Sequence, residues 1–120
     1  MTMTILFGIN NCDTVKKARK WFDSNSLDHS YHDFRNDGLT ENQLQQWIDA
    51  IGYETLVNKR STTWKQLGDD AKQSLDGDSA KALMLANPTL IKRPVVIDDT
   101  GVVSVGFKEA DFQQRFLSLD

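Results

Sequence analysis

The stretch Thr4-Ile5-Leu6-Phe7-Gly8-Ile9-Asn10-Asn11-Cys12-Asp13-Thr14-Val15-Lys16-Lys17-Ala18-Arg19 decides the fold. Its first five residues read as a short buried strand that stops at a glycine. Val15, Ala18 and Phe22 then recur at i, i+3 and i+7, the spacing of one helix face. Lys16, Lys17, Arg19 and Lys20 fall mostly off that stripe, as a solvated face does. Asn25 and Ser26 end the helix, and the aromatic character of residues 31–34 predicts a second strand. Strand, helix and strand in one sheet require a parallel pair joined by a right-handed crossover. Cys12 therefore stands where a strand hands over to a helix N-terminus.

Downstream, Asn36-Asp37-Gly38 signals a turn. Thr40 followed by Gln43 predicts a capping box, and Leu44, Trp47, Ile48 and Ile51 supply the helical stripe that Gly52 stops. No strand pattern occurs from Glu54 to Pro88. Short helical pieces are expected near Leu56, through Trp64 and Leu67, and from Ser79 to Ala86, with Asn87-Pro88 as the stop. Val95-Val96-Ile97 reads as a strand, Asp98-Asp99-Thr100-Gly101 as a hairpin loop, and residues 102–107 as the returning strand. Phe112 and Phe116 mark a last helix. The fold class is α/β: a small mixed sheet with helices on its faces and a helical insertion at about 54–87.

At 120 residues the chain fits one domain, 1–120. Hydrophobic residues make up 39% and charged residues 26%, which excludes a disordered polar chain and a membrane protein. The N-terminus lacks the basic and apolar regions of a signal peptide. Lys+Arg number 14 against Asp+Glu 17, a net charge of -3, which argues against broad nucleic-acid binding. The single cysteine excludes an internal disulfide and a cysteine-built zinc site, so no metal is expected. It suits a reducing, cytoplasmic compartment. A monomer with no nucleic-acid or membrane partner is expected.

A helix N-terminus presents unpaired N–H groups and the positive end of the helix dipole. Both favour a thiolate, the nucleophilic form of cysteine, without a histidine base. Against this stands the inert reading of a buried cysteine as a small hydrophobe, which the polar setting of Cys12 disfavours. Asn10, Asn11 and Thr14 either donate hydrogen bonds to the thiolate or a bound anion, or serve as turn and capping residues. A lone cysteine needs an external thiol to resolve a mixed disulfide, which makes glutathione a co-substrate on chemical grounds.

The opening block from Gly8 to Arg19, Asn58-Lys59-Arg60-Ser61-Thr62-Thr63-Trp64, and Ile91-Lys92-Arg93-Pro94-Val95 occur in that order along the chain. Together they resemble the arsenate reductase (ArsC) family, and within it the YffB-like branch of the ArsC/Spx superfamily. The resemblance implies a thioredoxin-like fold with a helical insertion. It implies that Cys12 attacks an oxyanion or a sulfur, that glutathione completes the reduction, and that glutaredoxin is a partner. Arg60 and Arg93 match arginines that bind the oxyanion and are expected to converge on the sulfur. A planar, permanently charged fork suits that task. Pro94 matches the proline, usually cis, that lies beside the cysteine. No bound cofactor is implied.

Two departures shape the expected function. Arsenate reductases carry a third arginine after the last strand, where this chain reads Val105-Gly106-Phe107-Lys108-Glu109. Lys108 substitutes in part, as a point charge. A thiol reductase poor on arsenate is therefore expected. The Spx regulators, which bind RNA polymerase, often carry a C-x-x-C pair; Val15 stands at the second position here, so a disulfide switch in this site is excluded. An Spx-like regulator remains the alternative function. His29 and His32, at odd separation on a strand, point to opposite faces and do not form a metal pair. Trp21, Trp47 and Trp64 read as core or half-buried aromatics.

Overall fold

The computed structural model describes residues 4–9, 12–34 and 36–117. Asn10, Asn11 and Arg35 lie outside the described residues. The chain divides into two compact units, one made of Met1–Asp33 with Arg93–Asp120 and the other of Phe34–Lys92.

The first unit holds a four-stranded sheet. β1 (Thr4–Gly8) leads into α1 (Asp13–Ser24) and then β2 (His29–Asp33). β3 (Val95–Ile97) and β4 (Val103–Val105) follow as a hairpin, and α7 (Glu109–Phe112) runs into a π-helical turn, Gln113–Leu117. The strand order is β2-β1-β3-β4. β1 and β2 are parallel, while β1 with β3 and β3 with β4 are antiparallel. This is the mixed α/β sheet that the strand–helix–strand opening and the late hairpin dictate.

Two strands differ from their expected spans. β2 begins at His29, where it pairs with Thr4, and ends at Asp33, so Phe34 falls outside it. β4 is confined to Val103–Val105. Gly106 takes φ +82° and ends the strand, and Val102, 55% exposed, stays in the loop.

Alternation along β1 puts Leu6 on the face that α1 covers. Leu6, Ala18, Trp21, Phe22, Val96 and Phe112 form the buried cluster there, with Leu27, Tyr31, Phe107 and Phe116 packed against it. Ring centroids lie 5.4 Å apart for Trp21–Phe112 and 4.9 Å for Phe22–Phe116. Each such pair adds about 0.5–1.5 kcal/mol beyond its buried area. The C-terminal segment is thus held by its aromatic pair at helical spacing.

The hairpin loop is tied by one carboxylate. Asp98 Oδ1 accepts from the Thr100 N–H (2.9 Å), the Thr100 hydroxyl (2.6 Å) and the Val102 N–H (3.0 Å). Arg115 Nε donates to Asp98 Oδ2 at 3.1 Å, while its two terminal nitrogens donate to Ser104 Oγ and to the Val102 carbonyl. Burial would raise the Asp98 carboxyl, but the bonds from Thr100, Val102 and Arg115 outweigh it and hold it below the ordinary carboxylate value.

The second unit is helical: α2 (Glu41–Ile51), α3 (Tyr53–Leu56), α4 (Thr62–Gln66), α5 (Asp69–Gln73) and α6 (Gly77–Ala86), then a 3-10 turn at Pro88–Leu90. Thr40 and Gln43 form both bonds of the capping box, each at 3.1 Å. Gly52 ends α2 at φ +86°. Leu44, Trp47, Leu56, Ala80, Met84 and Leu90 are buried at 1% exposure or less. α6 begins two residues earlier than its apolar pattern indicates, because Asp76 and Ser79 make a capping box of their own. The helical block expected at about 54–87 lies inside this unit, which also takes in α2.

Candidate active site

Cys12 is the N-cap of α1, in extended conformation at φ -95° and ψ 122°. Its N–H donates to the Ile9 carbonyl (3.1 Å), and its carbonyl accepts the first helical bond from Lys16 N–H (3.0 Å). No side chain caps this helix. Ser, Thr or Asp at this position would cap the first-turn amides with an oxygen; Cys12 stands there instead and makes no side-chain cap bond. Cys12 is half-buried and Thr14, in the first turn, is exposed.

Gly8 sets how closely α1 approaches β1. A Cβ there would fall 2.6 Å from Cγ2 of Val15, so only a residue without one admits Val15 at this depth. Val15 is fully buried.

The register brings three segments of this unit to one end of the sheet. Phe7 pairs with Val95, and Val95 with Val105. The chain leaves β1 toward Cys12 at that end, enters β3 through Arg93-Pro94 at that end, and leaves β4 through residues 106–108 at that end. The Arg93–Pro94 peptide is cis. The Gly106 N–H donates to the Pro94 carbonyl at 2.9 Å. Lys108 is the exposed N-cap of α7.

Arg93 is the unusual group. Its Nε and Nη1 are buried and have no hydrogen-bond partner among the described residues. A buried donor left unmade costs roughly 1–3 kcal/mol, and more when charged. An acceptor with negative charge at the guanidinium would remove that cost.

Arg60 belongs to the helical unit. It is exposed in the turn before α4, where its N–H donates to Asn58 Oδ1 at 3.1 Å. Arg115, the arginine that does follow β4, is engaged with Asp98, Ser104 and Val102 at the hairpin end of β3 and β4, opposite to the Pro94 end. It does not replace the third arginine expected after the last strand.

One residue at the Cys12 end has no counterpart in the sequence reading. Asp33 ends β2 opposite Gly8 and is 5% exposed. Only the parallel register reveals it; in the sequence it is one acid among 17. The two histidines lie on opposite faces of β2. The His29 ring centroid is 5.1 Å from that of Phe22, and His32 is 5.2 Å from Phe7.

A model of the ArsC family matches residues 7–115. The chain belongs to the ArsC family. Among relatives, an uncharacterised protein of Haemophilus influenzae is 47% identical over 114 residues, covering 95% of this chain and 99% of its own. The global transcriptional regulator Spx of Staphylococcus epidermidis is 26% identical over 117 residues, covering 96% and 87%. Among solved structures, the YFFB (PA3664) protein superposes with a TM-score of 0.84 at 38% identity, covering 92% of this chain and 96% of that one. The ArsC family match and these neighbours make the fold thioredoxin-like and the family thiol-reductase-like. No helix among the described residues is long and apolar enough to cross a membrane.

Proposed function

We propose that this ArsC-family protein is a glutathione-dependent thiol reductase with Cys12 as its nucleophile. The observation that carries this reading is the pair of buried Arg93 donors, Nε and Nη1, with no partner among the described residues, at the same sheet end as a cysteine that occupies a helix N-terminus with no side-chain cap. The helix end favours the thiolate, and Arg93 supplies the charge that a carboxylate of glutathione or an oxyanion requires. Arg60, Asn10, Asn11 and Thr14 are proposed as further anion-binding groups, and Lys108 as a weaker one.

The Cys12 thiolate attacks the glutathione sulfur of a mixed disulfide. The S–S bond breaks, the substrate leaves as a thiolate that takes a proton, and a Cys12–glutathione disulfide forms. A second glutathione, or glutaredoxin, attacks that disulfide and restores the Cys12 thiolate. Glutathione is oxidised to its disulfide and the substrate is reduced by the same two electrons. Arsenate makes a larger demand, several fixed donors around one oxyanion. With the third arginine missing and Arg115 committed elsewhere, arsenate is a poor substrate. The protein acts as a monomer in a reducing cytoplasm and needs no bound cofactor.

The test is intact-mass analysis after exposure to a glutathione mixed disulfide. A single glutathione adduct on the wild type, absent in Cys12→Ser and cleared by added glutathione, supports the reading. No adduct on the wild type rejects it. The similarity to the Spx regulator over 96% of the chain favours one other reading, a regulator that docks on RNA polymerase. Retention of RNA polymerase on the immobilised protein, unchanged by Cys12→Ser and Arg93→Ala, would favour that alternative.

A further inference from the structure

The helical unit contains a cavity of about 300 Å³ that the reductase chemistry does not use. Its apolar lining comes from Tyr53 on α3, Val57 just after it, Trp64 on α4 and Leu75 after α5. Val57 is buried, and the two rings and Leu75 are half-buried. The Tyr53 hydroxyl donates to the Leu75 carbonyl at 3.4 Å, linking two of the lining residues.

Two lysines from different segments meet at its indole. Lys59 Nζ lies 5.6 Å from the Trp64 ring centroid and Lys72 Nζ lies 5.5 Å from it. Glu54 also lines the cavity. No ion pair joins Glu54 to Lys59 or Lys72 among the described residues, so neither lysine is neutralised by it. Two cations against one anion leave the cavity positive on a chain whose net charge is -3. Small-molecule sites combine apolar, aromatic walls with a few convergent polar groups. Lys59, Lys72 and the Trp64 indole that both ammoniums approach all line this one cavity.

We propose that this cavity is a binding site for a small aromatic carboxylate. The ring occupies the space among Tyr53, Trp64 and Leu75, and the carboxylate lies between Lys59 and Lys72. The site is independent of Cys12, so it stands or falls apart from the reductase reading.

The test is a heteronuclear NMR titration of the full chain with 2-naphthoate, its neutral alcohol 2-naphthalenemethanol, and acetate. The Trp64 indole N–H signal, assigned by its loss in Trp64→Phe, is the reporter. Saturable shifts with 2-naphthoate, about fivefold weaker affinity for each of Lys59→Met and Lys72→Met, and no saturation with acetate are expected. Methionine keeps the unbranched stem and these lysines are not in the core, so the folded spectrum is retained. Cys12→Ser binds the probe as the wild type does. Equal affinity for the neutral alcohol, affinity unmoved by both lysine replacements, or no saturable shift at millimolar 2-naphthoate would overturn the proposal.

Discussion

A Cβ placed on Gly8 would lie 2.6 Å from Cγ2 and 3.0 Å from Cγ1 of Val15, so the last residue of β1 and the first buried residue of α1 interlock. Cys12 lies between them in the chain. The same contact that packs helix on strand therefore fixes where the helix begins, and with it the sulfur.

Gly8→Ala forces one of these elements to move. Overpacking a core of this kind costs about 1–3 kcal/mol, readable as a fall in urea midpoint at unchanged slope. Val15→Ala alone removes buried methyl groups and also destabilises. The double variant makes room for the new methyl, so its loss is smaller than the sum, with a coupling of about 0.5–3 kcal/mol. Strict additivity of the two losses would show that the clash is relieved some other way. Cys12 reactivity should drop in Gly8→Ala and recover in the double variant.

Arg93 separates function from stability. Its buried Nε and Nη1 have no partner among the described residues, so Arg93→Met removes two buried donors that no described acceptor satisfies. Folding stability is expected to hold or rise in the absence of ligand. Glutathione affinity should fall roughly 10- to 150-fold, the loss of one charged hydrogen-bond partner at about 1.5–3 kcal/mol. Arg93→Lys restores only part, because an ammonium lacks the fork. Calorimetry of binding beside urea unfolding tests both halves; a variant that unfolds readily yet binds glutathione normally would assign Arg93 to structure.

The hairpin carboxylate gives a pH signature. Asp98 is held below its ordinary value in the folded chain, so the unfolded state binds a proton more readily. Its contribution is fully present above the unfolded value of about 3.9 and is lost as pH falls through the lower folded value. Asp98→Asn should cost roughly 1–3 kcal/mol at pH 7 and flatten the acid limb of stability against pH below about 4. An acid limb as steep in Asp98→Asn as in the wild type would place the responsible carboxylates elsewhere.

Where periodicity and capping act locally, the sequence is explicit. Val15, Ala18 and Phe22 declare the buried face of α1, and Thr40 with Gln43 declares the start of α2. α5 is invisible because Asp69-Asp70-Ala71-Lys72-Gln73 carries no apolar stripe. β2 is displaced because its span comes from pairing with β1, which its aromatic content does not report. At the site, the strand-to-helix handover at Cys12 is legible from local pattern alone. The common sheet end shared by Cys12, Arg93 and residues 106–108 needs the antiparallel register, and the lack of a partner for Arg93 Nε and Nη1 among the described residues needs the three-dimensional packing. The buried position of Asp33 is equally a product of register.

The most direct test of the central claim is a rate measurement. Wild type and Cys12→Ser are assayed with glutathione and glutaredoxin, using a glutathione mixed disulfide and arsenate side by side across pH 5.5–8, a range chosen to bracket the neutral region in which an ordinary thiol loses its thiolate. The account predicts mixed-disulfide turnover that persists below pH 7, vanishes in Cys12→Ser and exceeds arsenate turnover. Cys12 reacting no faster than a free thiol at every pH, or arsenate turnover exceeding that of the disulfide, would contradict it.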